Sequence, residues 1–265
     1  MENTSIIKLA VVQNEQFLEK SSILHSISLQ IQEAAKNGAK YVFLGECFNC
    51  LYKKDLLHSQ SEAFDCETAP TVLFLQELSK SLKIYLFGSI PEHDPQTNTY
   101  YNTAFAFDDS GKLIAKHRKI HLFDIDIPGK ITSKESEVFQ AGSQITVFQA
   151  GLVKIGMAIC YDIRFPELSL LMAKKGAQIL FYPSAFNQTT GPLHWELLLR
   201  ARALDNQVFV VGASPARYTK DLSVYQAWGH SSVVDPMGKV LKTCGDVPEI
   251  LYEEINLESV EEIRK

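Results

Sequence analysis

No uninterrupted apolar stretch in this sequence approaches the ~18 residues that a membrane-spanning helix requires. The N-terminus, Met1-Glu2-Asn3-Thr4-Ser5-Ile6-Ile7-Lys8, carries an acid before any base, and Lys8 breaks its apolar run, so it makes a poor export signal. Without such a signal a reducing, cytoplasmic compartment is expected, with the five cysteines mostly free thiols. Positive charge is also short. Lys and Arg number 26 against 31 Asp and Glu, a formal net charge of -5. The only basic cluster, Lys116-His117-Arg118-Lys119, would cover a few phosphates at most, which sets nucleic acid aside as a partner. Cys47 and Cys50 form a C-x-x-C, but a zinc ribbon needs a second pair and none exists. Packed thiols beside a turn are the reading that remains. Short-period repeats, low-complexity tracts and Pro/Gly/Ser-rich linkers are missing too, so residues 1–265 are expected to form a single domain.

What is present is ordinary globular material, 46% hydrophobic, 10% aromatic and 22% charged. A chain of this length buries about three quarters of its extended surface and needs no staples. Apolar runs predict strands over 6–13, 41–44, 84–90, 153–159, 178–182 and 208–212. Near-helical spacing predicts helices over 19–37, ended by Gly38, and over 70–82, 166–175 and 192–206, each of these three opening at or near a proline. In the last helix Trp195, Leu198, Leu199 and Leu204 are expected to pack inward, with Glu196 and Arg200 paired at i,i+4. Residues 104–107 and 113–116, around Asp108-Asp109-Ser110-Gly111, read as a hairpin. Residues 231–234, 240–242 and 250–255 close the sequence with antiparallel character. The stretch 121–142 lacks periodicity and reads as a long loop, of the kind that is often functional. Strand–helix–strand units in each half, with hairpins after them, predict an α/β fold: a two-layer β core covered by helices on its outer faces.

The chemistry is expected at strand ends, because carboxyl ends of strands in α/β sheets converge on the active crevice. The run 153–160 delivers Cys160 to such an end, and Tyr161-Asp162-Ile163-Arg164 leads on into a helix. There a helix N-terminus favours thiolate and backbone amides offer an oxyanion hole. Taken alone, a cysteine ending an apolar strand is more often a buried structural thiol. Glu46 closes the strand 41–44 and Lys119 follows the strand 113–116. Singly they read as a turn carboxylate and a solvated charge. Brought together with Cys160, they supply base, electrophile and nucleophile.

The segments Phe43-Leu44-Gly45-Glu46, His117-Arg118-Lys119-Ile120-His121-Leu122 and Ile159-Cys160-Tyr161-Asp162-Ile163-Arg164-Phe165-Pro166-Glu167 together resemble the nitrilase superfamily of carbon–nitrogen hydrolases. The likeness covers nearly the whole chain in the expected order. It implies a four-layer α-β-β-α sandwich paired through its helices into at least a dimer, with no metal or organic cofactor. It also implies a triad of Glu46, Lys119 and Cys160, and a second glutamate at Glu135, with Glu137 as the fallback. Within the superfamily the chain looks most like the omega-amidases. The informative stretches are 123–132, 185–192, 205–208, 213–217 and 225–231. Those enzymes hydrolyse the terminal amide of 2-oxo-dicarboxylic acid monoamides such as 2-oxoglutaramate and 2-oxosuccinamate, releasing ammonia. They continue past Glu261-Glu262-Ile263-Arg264-Lys265 with a short tail that often reaches a partner subunit.

Such a substrate carries a carboxylate remote from the amide, so its pocket should offer a cation. Arg164 suits, since a guanidinium grips a carboxylate bidentately; Thr190, Tyr161 and nearby amides would complete the site. The bland alternative for Arg164 is an ion pair with Asp162 or Glu167. His121, His194 and His230 invite a cysteine–histidine scheme, but with Glu46 as base they read as structural or pocket-lining groups. Two other functions compete: an amidase for deaminated glutathione or a carbamoyl-amide hydrolase, and, from another class, a catalytically silent scaffold. The intact Glu46, Lys119 and Cys160 argue against the scaffold.

Overall fold

The computed structural model describes residues 5–64, 68–128 and 131–265, apart from the side chain of Ile131. Residues 1–4 of the N-terminal run, Cys66, and Gly129 and Lys130 of the stretch 123–132 lie outside the described residues. The first half of the chain builds β1 (Ile6–Gln13), α1 (Lys20–Lys36), β2 (Tyr41–Leu44), α2 (Lys54–Ser59), α3 (Pro70–Leu82), β3 (Tyr85–Asp94), β4 (Thr99–Phe107) and β5 (Leu113–Arg118). A small antiparallel hairpin of β6 (Asp124–Ile127) and β7 (Ile131–Lys134) follows. The second half supplies β8 (Thr146–Ala150), β9 (Val153–Met157), α4 (Pro166–Lys174), β10 (Ile179–Pro183), α5 (Gly191–Asn206), β11 (Phe209–Ala213), β12 (Ser232–Val234) and β13 (Val240–Thr243). Last come β14 (Glu249–Asn256) and α6 (Glu258–Arg264).

Two six-stranded sheets result, ordered β14-β1-β2-β3-β4-β5 and β13-β12-β11-β10-β9-β8. In each, three parallel strands form the middle and antiparallel strands flank them. The halves thus share one plan that leaves no repeat in the sequence. Strand alternation assigns the faces. On β1, Leu9 and Val11 point into a core shared with Ile155, Met157, Phe181 and Val211 of the second sheet. Ala10 and Val12 point the other way, toward Ile27 and Ile31 of α1 and Val72 and Leu75 of α3. Trp195 and Leu199 of α5 and Leu168 and Met172 of α4 cover the second sheet. The order is therefore helix, sheet, sheet, helix. Phe43 on β2 and Phe181 on β10 meet between the sheets with ring centroids 4.9 Å apart. Strands covered on both faces have to be apolar throughout, which is why β2 and β10 read as unbroken runs.

Several expectations change. The stretch 121–142 holds the β6–β7 hairpin and a 3-10 turn over Glu135–Glu137 instead of an irregular loop. The Asp124-Ile125-Asp126-Ile127 alternation is a strand signal, but it spans only four residues and is largely solvent-facing, so it does not stand out from a loop. The short helices α2 and α6 and the edge strand β8 add to the elements that the spacing predicts. On α5, Trp195 and Leu199 are buried as expected, but Leu204 is 53% exposed while Arg202 is buried, its Nε donating to the Ile163 carbonyl at 2.8 Å. The Glu196–Arg200 pair forms at 3.4 Å. Among the described residues, no helix is long and apolar enough to cross a membrane.

Candidate active site

Glu46 leaves the carboxyl end of β2 through Gly45, where a Cβ would sit 2.7 Å from the Pro215 nitrogen, so only glycine lets the two backbones approach this closely. The next residue, Cys47, takes a positive φ of 45° and donates its N–H to Ser89 Oγ at 3.0 Å. Lys119 follows β5, pinned by its own N–H to the Asn102 carbonyl (2.9 Å) and by the Gly142 N–H to its carbonyl (2.7 Å). Glu135 opens the 3-10 turn after β7. These three strand-end groups meet. Lys119 Nζ lies 3.0 Å from Glu46 Oε1 and 2.8 Å from Glu135 Oε2. Asn102 Nδ2 also bridges the two carboxylates, donating to Glu46 Oε1 at 2.7 Å and Glu135 Oε1 at 3.2 Å. Glu135 takes further hydrogen bonds from the Tyr52 hydroxyl (3.0 Å) and the Phe123 N–H (2.7 Å). Glu46 Oε2 is left buried with no partner at hydrogen-bonding geometry.

Cys160 begins a five-residue 3-10 turn, Cys160–Arg164, at the end of β9, with a positive φ of 44°. For a non-glycine residue this is a sparsely populated backbone state, of the kind that clusters at functional sites. The thiol shares a cavity with Tyr52, Lys119, Tyr161, Arg164, Asn187 and Thr190. Its electrostatics differ from the thiolate-favouring helix start expected above. Burial pushes the Cys160 thiol well above its ordinary value, the charge of Glu46 adds to this, and Lys119 offsets only part of it. These influences favour the thiol over the thiolate, so a neighbouring base would be needed to activate it. Burial also raises Glu46; Lys119 pulls it down, Glu135 pushes it up, and the net direction is upward. For Lys119, burial works against the ammonium, but Glu135 and Glu46 outweigh it and hold the group well above its ordinary value. Lys119 is a fixed cation, 1% exposed.

Asp162 ties the segments carrying Lys119 and Cys160 together. Fully buried, it accepts from His117 Nε2 (3.3 Å), His121 Nδ1 (2.7 Å), the His121 N–H (2.8 Å) and the Ile159 N–H (3.0 Å). Burial would raise its carboxyl, but the two histidines and the Ile159 amide outweigh that and hold it well below the usual carboxylate range. With Asp162 so committed, Arg164 turns elsewhere: it donates to His194 Nδ1 at 3.1 Å and lies against the Tyr161 and Phe186 rings. That corrects the ion-pair alternative. Of the histidines, His121 holds Asp162 and stacks on Phe165 (3.5 Å), His194 meets Arg164, and His230 stacks on Trp228 (4.1 Å). Glu137, the fallback glutamate, pairs with exposed Lys54 outside the cavity.

The structure thus brings Glu46, Lys119 and Glu135 into direct contact and sets Cys160, Tyr161, Arg164 and Thr190 around the same cavity as Lys119. The Thr190 hydroxyl is spent on Asn187 Oδ1 (3.1 Å), so it shapes the wall more than it offers a free donor. Sequence reasoning missed Tyr52, Asn102, Asn187 and Tyr225. Asn187 and Tyr225, which both line the cavity, lie within the stretches 185–192 and 225–231 noted above; Tyr52 and Asn102 depend on long-range contacts. Cys47 and Cys50 are buried free thiols in one turn, Cys50 N–H to Cys47 carbonyl at 3.2 Å. Among the described residues, no cluster of three or more His, Cys, Asp or Glu is placed to hold a metal.

A buried ammonium between two carboxylates, set at strand ends beside a thiol on an α-β-β-α sandwich, is an arrangement that could serve nucleophilic hydrolysis. The chain belongs to the carbon–nitrogen hydrolase family, which it matches over residues 8–265. It is 48% identical to an omega-amidase of Mus musculus over 98% of this chain and 92% of that protein. An omega-amidase of Saccharomyces cerevisiae is 47% identical, over 98% of this chain and 90% of that protein. The crystal structure of a Saccharomyces cerevisiae member of branch 10 of the nitrilase superfamily superposes with a TM-score of 0.89 at 44% identity, covering 98% of this chain and 93% of that one.

Proposed function

We propose that this chain is an omega-amidase that hydrolyses the terminal amide of 2-oxo-dicarboxylic acid monoamides, such as 2-oxoglutaramate, to the dicarboxylic acid and ammonia. The observation that carries the reading is one cavity lined by Cys160, by Lys119 with Glu46 against its ammonium, and by the guanidinium of Arg164. Glu46 takes the Cys160 proton, for which its free Oε2 is the available acceptor. The sulfur adds to the amide carbon, and the carbonyl electron pair moves to oxygen. Lys119 and the Tyr161 amide stabilise that oxyanion. The carbon–nitrogen bond then breaks, Glu46 returns the proton to nitrogen, and ammonia leaves a thioester. Glu46 next deprotonates a water that attacks the thioester carbon; the carbon–sulfur bond breaks and the thiol is restored. Glu135 holds Lys119 in place, keeping its ammonium aimed at the reacting carbonyl. Arg164, with the Tyr161 ring beside it and Thr190 in the wall, grips the distal carboxylate.

The same proposal makes residues 1–265 one carbon–nitrogen hydrolase domain acting as a cytoplasmic homodimer. The shared inter-sheet core supports the first point and the free thiols at Cys47, Cys50, Cys160 and Cys244 suit a reducing compartment. Leu193, Leu197 and Leu204, exposed along one face of α5, suit pairing through helices.

The test is mass measurement after brief exposure to 2-oxoglutaramate, with ammonia release followed in parallel across a panel of amides. An acyl adduct on Cys160 that vanishes in Cys160→Ala, with the variant's unfolding temperature unchanged within about 2 °C, is the expected result. Poor turnover of 2-oxoglutaramate beside good turnover of a bulkier amide would move the assignment to another amidase of the family. No ammonia from any amide would sink it.

A further inference from the structure

Glu46 lines a second cavity, separate from the one that Cys160 and Arg164 share. The two are neighbours. Tyr52, Ala185 and Tyr225 line both, and Lys119, on the wall of the first, has its Nζ 3.0 Å from Glu46 Oε1. The Tyr52 and Tyr225 rings, with centroids 5.1 Å apart, form part of the partition. The second cavity also reaches outward. Gln16, just past β1, and Tyr218, just past β11, line both this cavity and a surface groove bounded by the exposed Thr219, Lys220 and Val247. Glu46 thus stands between the substrate cavity and a different approach from the surface. Room for a water-sized molecule remains on that approach. Two of its lining residues carry a buried polar atom with no partner among the described residues: Glu46 Oε2, an acceptor, and Gln16 Nε2, a donor. A small molecule with both roles, such as water or ammonia, suits walls of that kind.

We propose that this second cavity holds the hydrolytic water and gives ammonia its way out, so that the small reactants exchange behind Glu46 while the acyl group occupies the substrate cavity. The inference rests on the amidase reading above and deepens it. Once the thioester has formed, the acyl chain runs from the Cys160 sulfur toward Arg164 and obstructs that side. The nitrogen that leaves and the oxygen that attacks both exchange a proton with Glu46, so they occupy one place in turn. Ammonia has to vacate that place and water has to reach it while the acyl chain stays put. The second cavity is the approach that Glu46 itself borders. There the water oxygen bonds to the thioester carbon as Glu46 takes its proton. The carbon–sulfur bond then breaks, its electron pair stays on sulfur, and Glu46 returns the proton to the thiolate. Gln16, buried where cavity and groove meet, lets a polar molecule pass at less cost than an apolar wall would.

The test times the two half-reactions separately, by quenching and measuring the mass of the Cys160 adduct with 2-oxoglutaramate. Ala216 is buried and lines the second cavity but not the first. Ala216→Leu fills that cavity, and Gln16→Leu makes its polar wall apolar. In each variant the adduct is expected to form at a rate within about threefold of the unaltered protein and to decay about ten- to a hundredfold more slowly, so that it accumulates during turnover. Damage to folding, to the thiol or to the Arg164 grip would slow formation at least as much as decay. Selective slowing of decay in either variant therefore supports the second route. Decay that is unchanged in both, or slowed no more than formation in both, overturns it. An unaltered protein that forms no adduct and releases no ammonia from any amide would instead overturn the amidase reading beneath it.

Discussion

Replacing Asp162 by Asn removes a charge from a fully buried position while keeping its shape. The carboxylate receives His117 and His121 side chains and the N–H groups of His121 and Ile159. An asparagine offers one oxygen to these donors and points an NH2 group at the remainder. Removing one partner of a buried charged hydrogen-bond cluster costs about 3–5 kcal/mol, set against a total stability of about 5–15 kcal/mol. At roughly 2 °C per kcal/mol for a chain of this size, the unfolding temperature is expected to fall by about 6–10 °C at pH 7. The pH dependence is the sharper check. The folded-state carboxyl lies below its ordinary value of 3.8, so its contribution is complete above that pH and fades as acid drives it toward its folded-state value. The gap between Asp162→Asn and the unaltered protein, followed by urea unfolding from pH 7 downward, is expected to hold steady to about pH 4 and then narrow. A gap under about 1 kcal/mol at pH 7, or one undiminished well below pH 4, would refute the reasoning.

Three further perturbations probe the site itself. Glu135→Gln removes a charge that pushes Glu46 upward, so the acid limb of a kcat/KM pH profile should move to lower pH even as kcat falls; an unmoved limb would break the link. Arg164→Lys keeps the charge but loses the fork, and should cost about ten- to a hundredfold in kcat/KM on amides bearing a distal carboxylate. Equal losses on neutral amides would count against the grip. At Gly142 an added Cβ would lie 2.2 Å from the Arg118 carbonyl oxygen. Gly142→Ala should therefore cost about 1–3 kcal/mol in a thermal melt and, by displacing the strand end that carries Lys119, slow turnover in an ammonia assay.

Local patterning carried much of the architecture. β1, β2 and α3 fall on the residues that apolar runs and the Pro70 start indicated, because each buries its signal locally. Glu46, Lys119 and Cys160 stand at strand ends legible in the sequence, and the structure brings the first two into contact beside the third. What stayed hidden is relational. Nothing local announces that Tyr52 reaches Glu135, 83 residues away, or that Arg202 is buried while Leu204 on the same helix is not.

β14 pairs with β1 along its whole length, from Ile6 opposite Asn256 to Gln13 opposite Glu249. A strand made early therefore waits for one made far later in the chain. Until β14 is made, β1 presents a bare row of amide and carbonyl groups on one side, a template for adhesion to other nascent chains. Maturation of the Glu46-bearing sheet is in this sense gated by delivery of residues 249–256, and a stop before them would leave a polypeptide prone to clump.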